Sequence, residues 1–261
     1  MSEVLEVLNA DTTLRCTDSE GDGTAVLFLN GAFGTQMDWR RIVGRLSGQY
    51  RTVTFDARGR GKSSASLEYS FVADLSDVAA VVTRTAIERP LLVGWSHGAA
   101  LAVRYASEHP EDVTGLVLID GAMPVPPPDE AERQRAHQLF RRMGPLMRVM
   151  ALFGRGTRMS PDQAAEMNIE LRTLLCDLQV DYDRFTCPVD FILGSKPHMG
   201  STEAECRAMR GAVAPIVTAR PNISIFRTLP ASHTEILSKH PEAIVQAIAD
   251  VVGKAAIGDV R

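Results

Sequence analysis

The sequence predicts an α/β fold: a mostly parallel central sheet flanked by helices, with a helical insertion. Two observations predict it. Four short runs, residues 25–30, 91–95, 115–119 and 189–193, are apolar with little or no alternation, the pattern of strands covered on both faces. Between them lie segments with apolar residues at helical spacing, such as Phe71, Leu75, Val78, Val81 and Val82. Strands that alternate with helices imply crossover connections and parallel pairing, and in such sheets ligands bind beyond the carboxyl ends of the strands. Asn30, Asp56, Ser96 and Asp120 all stand at those ends.

In chain order, residues 4–8 and 12–16 alternate and read as a hairpin or edge strands, followed by an acidic, glycine-rich turn. The run at 25–30 stops at Gly31-Ala32-Phe33-Gly34, where the glycines free backbone N–H groups to meet a ligand. Residues 38–46 read as a helix and 51–56 as the next strand. The Gly-Lys-Ser at 61–63 is not a phosphate loop, because that motif needs glycine at position 56 and the residue there is Asp56. A helix over 71–88 precedes the run at 91, which breaks at Gly94-Trp95-Ser96-His97-Gly98 and turns helical from Ala99 until Pro110 stops it, with His109 a helix-end residue. This is G-x-S-x-G between strand and helix. Reversing a strand into a helix within one residue strains the central backbone, and flanking side chains would clash, so glycines flank the serine.

After the strand at 115–119, a proline-rich hinge at 123–129 opens a helical stretch to about residue 185. It carries Arg133, Arg135, Arg141, Arg142, Arg148, Arg155 and Arg158, which read as a solvated face or, in part, as an attraction for an anionic substrate or carrier. Met143, Met147, Met150, Met159 and Met167 are interleaved with leucines and phenylalanines. They suit either simple packing or a flexible apolar lining, with Met123 and Met147 as candidate substrate contacts beside Trp95. The chain returns to the sheet at 189–193, reaches its last strand at 223–229 and ends in a helix from Pro241, which makes His240 structural. The expected division is a core of 1–121 and 187–261 with an insertion over 122–186.

Composition narrows the function. The 261 residues are 45% hydrophobic, enough for one sizeable core, and the net charge of -4 argues against a nucleic-acid partner. No secretory leader and no membrane span are expected. Cys16, Cys176, Cys187 and Cys206 form no C-x-x-C pair and fit free thiols in a cytoplasmic protein. The six histidines lack metal-ligand spacing, so neither metal nor cofactor is expected, and the partner is a small-molecule substrate. Oligomeric state is not legible.

Asn30-Gly31, then Asp56-x-Arg58-Gly59-x-Gly61-x-Ser63, then Gly94-Trp95-Ser96-His97-Gly98, in this order, resemble the α/β-hydrolase superfamily over roughly residues 24–253. The resemblance implies that Ser96 is a nucleophile and that the oxyanion donors are the N–H groups of His97 and of Ala32 or Phe33. It implies that His233, between the last strand and last helix, is the base, and that the insertion is a cap. Ser96 in place of aspartate argues against the dehalogenase and epoxide-hydrolase branches. The acid departs from the commonest pattern: relatives place an aspartate three residues after the glycine ending the strand at 189–194, and here that position is Pro197. Asp120, a position some members use, keeps the order Ser, Asp, His. Glu203 or the absence of any acid are the alternatives, and His198 reads as merely exposed. The expected activity is hydrolysis of an ester, thioester or lactone of a small, largely hydrophobic substrate through an acyl-enzyme. A lyase, a cyclase or a ligand-binding protein on the same fold are the competing readings.

Overall fold

The computed structural model describes residues 2–197 and 202–258. Among them, eight strands form one sheet: β1 (Glu3–Asn9), β2 (Thr12–Asp18), β3 (Ala25–Leu29), β4 (Arg51–Phe55), β5 (Leu91–Trp95), β6 (Gly115–Ile119), β7 (Val189–Gly194) and β8 (Ile223–Leu229). Their spatial order is β1-β2-β4-β3-β5-β6-β7-β8. The β1–β2 hairpin joins β4 antiparallel, and every pairing from β4 across to β8 is parallel. The helices are α1 (Arg40–Leu46), α2 (Phe71–Thr85), α3 (His97–Glu108), α4 (Glu130–Leu152), α5 (Pro161–Leu174), α6 (Leu178–Asp181), α7 (Glu203–Gly211), α8 (Val213–Ala219), α9 (Ile236–Lys239) and α10 (Pro241–Gly258).

The unbroken apolar strands follow from a sheet covered on both faces. Leu27, Leu29, Leu92, Leu116 and Leu118 pack with α2 and α3, whereas the alternate residues Val26, Phe28, Leu91, Val93, Val117 and Ile119 pack with α1 and α10. Period-two geometry sends neighbours to opposite sides, so both must be apolar. Helix ends follow their caps. Ser70 accepts from the Ala73 N–H at the start of α2, and capping boxes of Asp129 with Glu132 and Ser160 with Gln163 open α4 and α5.

Two boundaries and one pair of helices differ from the sequence expectation. The helix after the serine begins at His97, two residues early, because the reversal is completed within Ser96 alone. α2 stops at Thr85 because Ala86 takes the left-handed conformation, φ 49°. The pair α7 and α8 was not foreseen, since each is short, nine and seven residues. The segment between β6 and β7 packs in two ways: Phe140, Met147, Met159, Ala164, Ala165 and Met167 form a small apolar cluster against Ala32 and Phe33, while Leu171, Leu175, Leu178, Tyr182 and Phe185 join the main core.

Candidate active site

Ser96 sits at φ 57°, ψ -114°, a region that side chains other than glycine rarely occupy and that costs on the order of 1–3 kcal/mol. Its surroundings enforce the conformation. The Ser96 N–H donates to the Ile119 carbonyl at 2.9 Å. A Cβ on Gly94 would stand 2.3 Å from the Gly98 carbonyl oxygen, one on Gly98 would stand 2.1 Å from that of Leu29, and one on Gly121 would stand 2.4 Å from that of Ser96. All three are contacts with rigid backbone, so only glycine fits.

The strand-end residues converge here. Asp120, at φ 44° directly after β6, is buried, and its Oδ2 lies 2.9 Å from His233 Nδ1. Its Oδ1 accepts from the Gly194 N–H at 3.0 Å and from Arg210 Nε at 3.4 Å. Burial pushes the Asp120 carboxyl up, but the His233 hydrogen bond and charge, the Gly194 N–H and the Arg210 guanidinium outweigh it and hold the group below the usual carboxylate range. Glu203 is 73% exposed and pairs with Arg207, away from this contact. His198 lies outside the described residues.

Trp95 braces both sides of the serine. Its Nε1 donates to the His233 carbonyl at 3.2 Å, its ring lies 5.4 Å from the His233 ring, and a Cβ on Gly31 would stand 2.9 Å from the indole. The Gly34 N–H donates to the Gly31 carbonyl at 2.9 Å, closing a turn around Ala32 and Phe33 whose own N–H groups stay outside that bond. His97 is the first residue of α3, where helix N–H groups have no partner within the helix.

A buried network links these two places. The side chain of His97 points away from solvent and its Nε2 is 2.8 Å from Asp74 Oδ2. Asp74 receives both ends of the Arg60 guanidinium at 2.9 Å, and Arg60 Nε donates to the Ala32 carbonyl at 3.0 Å. Burial raises the Asp74 carboxyl, yet Arg60 and His97 bring it down to about 2. The chain Ala32–Arg60–Asp74–His97 therefore fixes the Gly31–Gly34 turn relative to the start of α3. Sequence reasoning missed it because Arg60 and Asp74 belong to different elements, Arg60 at an unspecified position of the 56–63 motif and Asp74 outside any motif.

Two cavities meet at Ser96. The smaller, about 140 Å³, is lined by Asp120, Met123, Leu171, Arg172, Arg210 and His233 among others. The larger, about 640 Å³, is lined on one side by Ala32, Phe33 and Trp95, and on the other by Phe140, Met143, Met147 and Met150. Met123 and Met147 thus lie on different sides of the serine. Asn168 of α5 borders both cavities, and nothing in its sequence context marks it. Met159 and Met167 pack instead in the apolar cluster against Ala32 and Phe33, where Met167 Sδ also accepts from Arg60 Nη2. No group of histidine, cysteine or acidic side chains able to hold a metal occurs among the described residues.

A doubly covered parallel sheet with a serine at the turn after its central strand is the architecture of the α/β hydrolases. The chain belongs to the Alpha/beta hydrolase family, whose model matches residues 26–247. It is 36% identical over 100 residues to a pimeloyl-[acyl-carrier protein] methyl ester esterase of Edwardsiella ictaluri, covering 38% of this chain and 37% of the relative. It is 34% identical over 116 residues to a fluoroacetate dehalogenase of a Burkholderia species, covering 42% of this chain and 38% of the relative. These alignments therefore span less than half the length of either relative. The crystal structure of a hydrolase from Pseudomonas aeruginosa superimposes with a TM-score of 0.75 over 96% of this chain and 98% of that one, at 18% identity, a likeness of fold.

Proposed function

We propose that the protein is a serine hydrolase acting on esters, thioesters or lactones, with Ser96 as nucleophile, His233 as base and Asp120 as the acid that orients it. The observation that carries this reading is the 2.9 Å contact between Asp120 Oδ2 and His233 Nδ1, beside a cavity that both share with Ser96. In the first half-reaction His233 takes the hydroxyl proton as Ser96 Oγ attacks the carbonyl, and the resulting imidazolium is stabilised by the ionised Asp120. The N–H groups of His97 and of Ala32 or Phe33 bind the oxyanion, a donor of this kind contributing about 3–4 kcal/mol. The imidazolium protonates the leaving group; His233 then takes a proton from water as it attacks the acyl-enzyme carbonyl, and hands it to Ser96 Oγ as the acyl–oxygen bond breaks, releasing the acid and the free serine.

Trp95, Met123 and Met147 are proposed to contact the substrate. The unequal cavities favour a carbonyl with one bulky apolar arm and one small arm. The segment 122–186 is the proposed cap, since Phe140, Met143 and Met147 close the larger cavity opposite Trp95. Cys16, Cys176 and Cys187 form no disulfide, which suits a reducing compartment, and we infer action in the cytoplasm. A lyase or cyclase would use Ser96 and His233 as proton handlers, and the contact of Asp120 with His233 supports the hydrolase reading over it. Turnover of p-nitrophenyl esters of graded acyl length tests the reading: the wild-type protein hydrolyses them and Ser96→Ala does not. Equal turnover by both would refute it.

A further inference from the structure

One surface remains unexplained by the chemistry at Ser96. The second half of α4 and the tip after it leave large apolar side chains in solvent: Leu146 is 57% exposed, Val149 51%, Leu152 85% and Phe153 78%. Leu139, Leu146, Met150 and Phe153 fall on one stripe of the helix at intervals of seven, four and three residues, a spacing that keeps them in line. Isolated exposed apolar residues are ordinary, but a continuous stripe ending in two nearly bare side chains marks a contact surface.

The charge around the stripe identifies the kind of partner. Residues 133–161 hold the seven arginines and no carboxylate, in a chain whose net charge is -4. Arg141 is paired with Asp162. Among the described residues, Arg142, Arg148 and Arg155 are exposed and have no acidic partner. Arg142 flanks this stripe, Arg148 lies one turn before the bare Leu152 and Arg155 follows Phe153; cations set among exposed apolar side chains match the interface of an anionic bilayer, whose headgroups attract the cations while its acyl region accepts the apolar side chains. A nucleic acid would meet the charge but leave Leu152 and Phe153 in water. No helix among the described residues is long and apolar enough to cross a membrane, so the contact is peripheral.

The position of the stripe gives the contact a purpose. Leu146 and Met150 belong both to the exposed stripe and to the wall of the 640 Å³ cavity, with Arg155 beside them. An acyl chain leaving a bilayer at this face would move along apolar side chains toward Ser96 without crossing open water.

We propose that the second half of α4, with Leu152 and Phe153 at its tip, docks the protein on anionic lipid surfaces. The proposal concerns binding and is measured without turnover, so it fails or stands separately from the esterase reading. The experiment is co-sedimentation with vesicles of phosphatidylcholine, with and without about 30% phosphatidylglycerol to supply a negative surface potential, at low and high salt. The account expects binding to the anionic vesicles at least about tenfold tighter than to neutral ones, weakened by salt. The double variant Arg142→Ala/Arg148→Ala lowers it by roughly thirtyfold, and Leu152→Ser/Phe153→Ser lowers it with the charge intact. None of these four residues lines the cavities, and far-UV circular dichroism with the thermal midpoint reports that the variants are folded. Equal binding to both vesicle types, binding that survives both double variants, or a light-scattering mass of two chains that Leu152→Ser/Phe153→Ser halves while vesicles go unbound, would each overturn the proposal.

Discussion

Asp120 Oδ2 lies 2.9 Å from His233 Nδ1, although the two residues are 113 positions apart in the chain. The contact joins the end of β6 to the loop after β8, and it leaves the position at Pro197 without an assigned role. With Gly194, Arg210 and His233 all contacting the carboxylate, its charge is held in place on every side that the fold provides.

Asp120→Asn is expected to lower kcat by about 10³- to 10⁴-fold, since an amide cannot stabilise the imidazolium and favours the wrong tautomer. Glu203→Gln leaves kcat within about twofold of wild type, in keeping with a carboxylate exposed on α7. Steady-state kinetics on a p-nitrophenyl ester checks both, and the reverse pattern would move the acid to Glu203.

Gly98→Ala tests the elbow. The added methyl would stand 2.1 Å from the Leu29 carbonyl oxygen, so either β3 or α3 must shift. The expected cost is about 3 kcal/mol or more, read as a lower denaturation midpoint, whereas Gly44→Ala, where a Cβ meets nothing within 4 Å, shows no comparable loss.

Much of this was legible from one chain. Continuous apolar runs identify the strands because burial on both faces leaves no place for polar residues, and the glycines around Ser96 are legible because backbone crowding admits nothing else. The fold class, the family and the order of elements followed from these. For the acid the sequence favours Asp120 but leaves Glu203 or no acid open, because which carboxylate reaches His233 depends on how loops at separate strand ends are aimed. Arg60, Asp74 and Asn168 were missed for a related reason: each is an unremarkable polar residue until folding brings α2, α5 and the Gly31–Gly34 turn together.

Arg60→Lys tests the link between the two proposed oxyanion donors. Lysine keeps the charge but loses the planar fork, so it cannot hold the Ala32 carbonyl and both oxygens of Asp74 together. The expected result is a fall in kcat of about tenfold with little change in KM, accompanied by a parallel loss of affinity for a trifluoromethyl ketone that mimics the oxyanion. A change in thermal stability alone, with kcat intact, would reduce Arg60 to a packing role.

Acid unfolding tests the same network through Asp74. Its folded-state pKa, about 2, lies below the ordinary 3.8, so the ionised carboxylate stabilises the native state. That contribution is complete above about pH 4 and is lost as the pH falls toward 2. Asp74→Asn should therefore be less stable than wild type at neutral pH, and the gap should close as acid is added. Chemical denaturation at a series of pH values measures it, and a gap that widens toward low pH would contradict the assignment.

The central claim is that Ser96 is a nucleophile activated by His233. Intact-mass spectrometry after exposure to a fluorophosphonate measures this without knowledge of the substrate. The account predicts a single stoichiometric adduct mapped to Ser96, absent in Ser96→Ala and strongly slowed in His233→Ala. Wild-type protein that stays unlabelled, or an adduct that persists in Ser96→Ala, would contradict it.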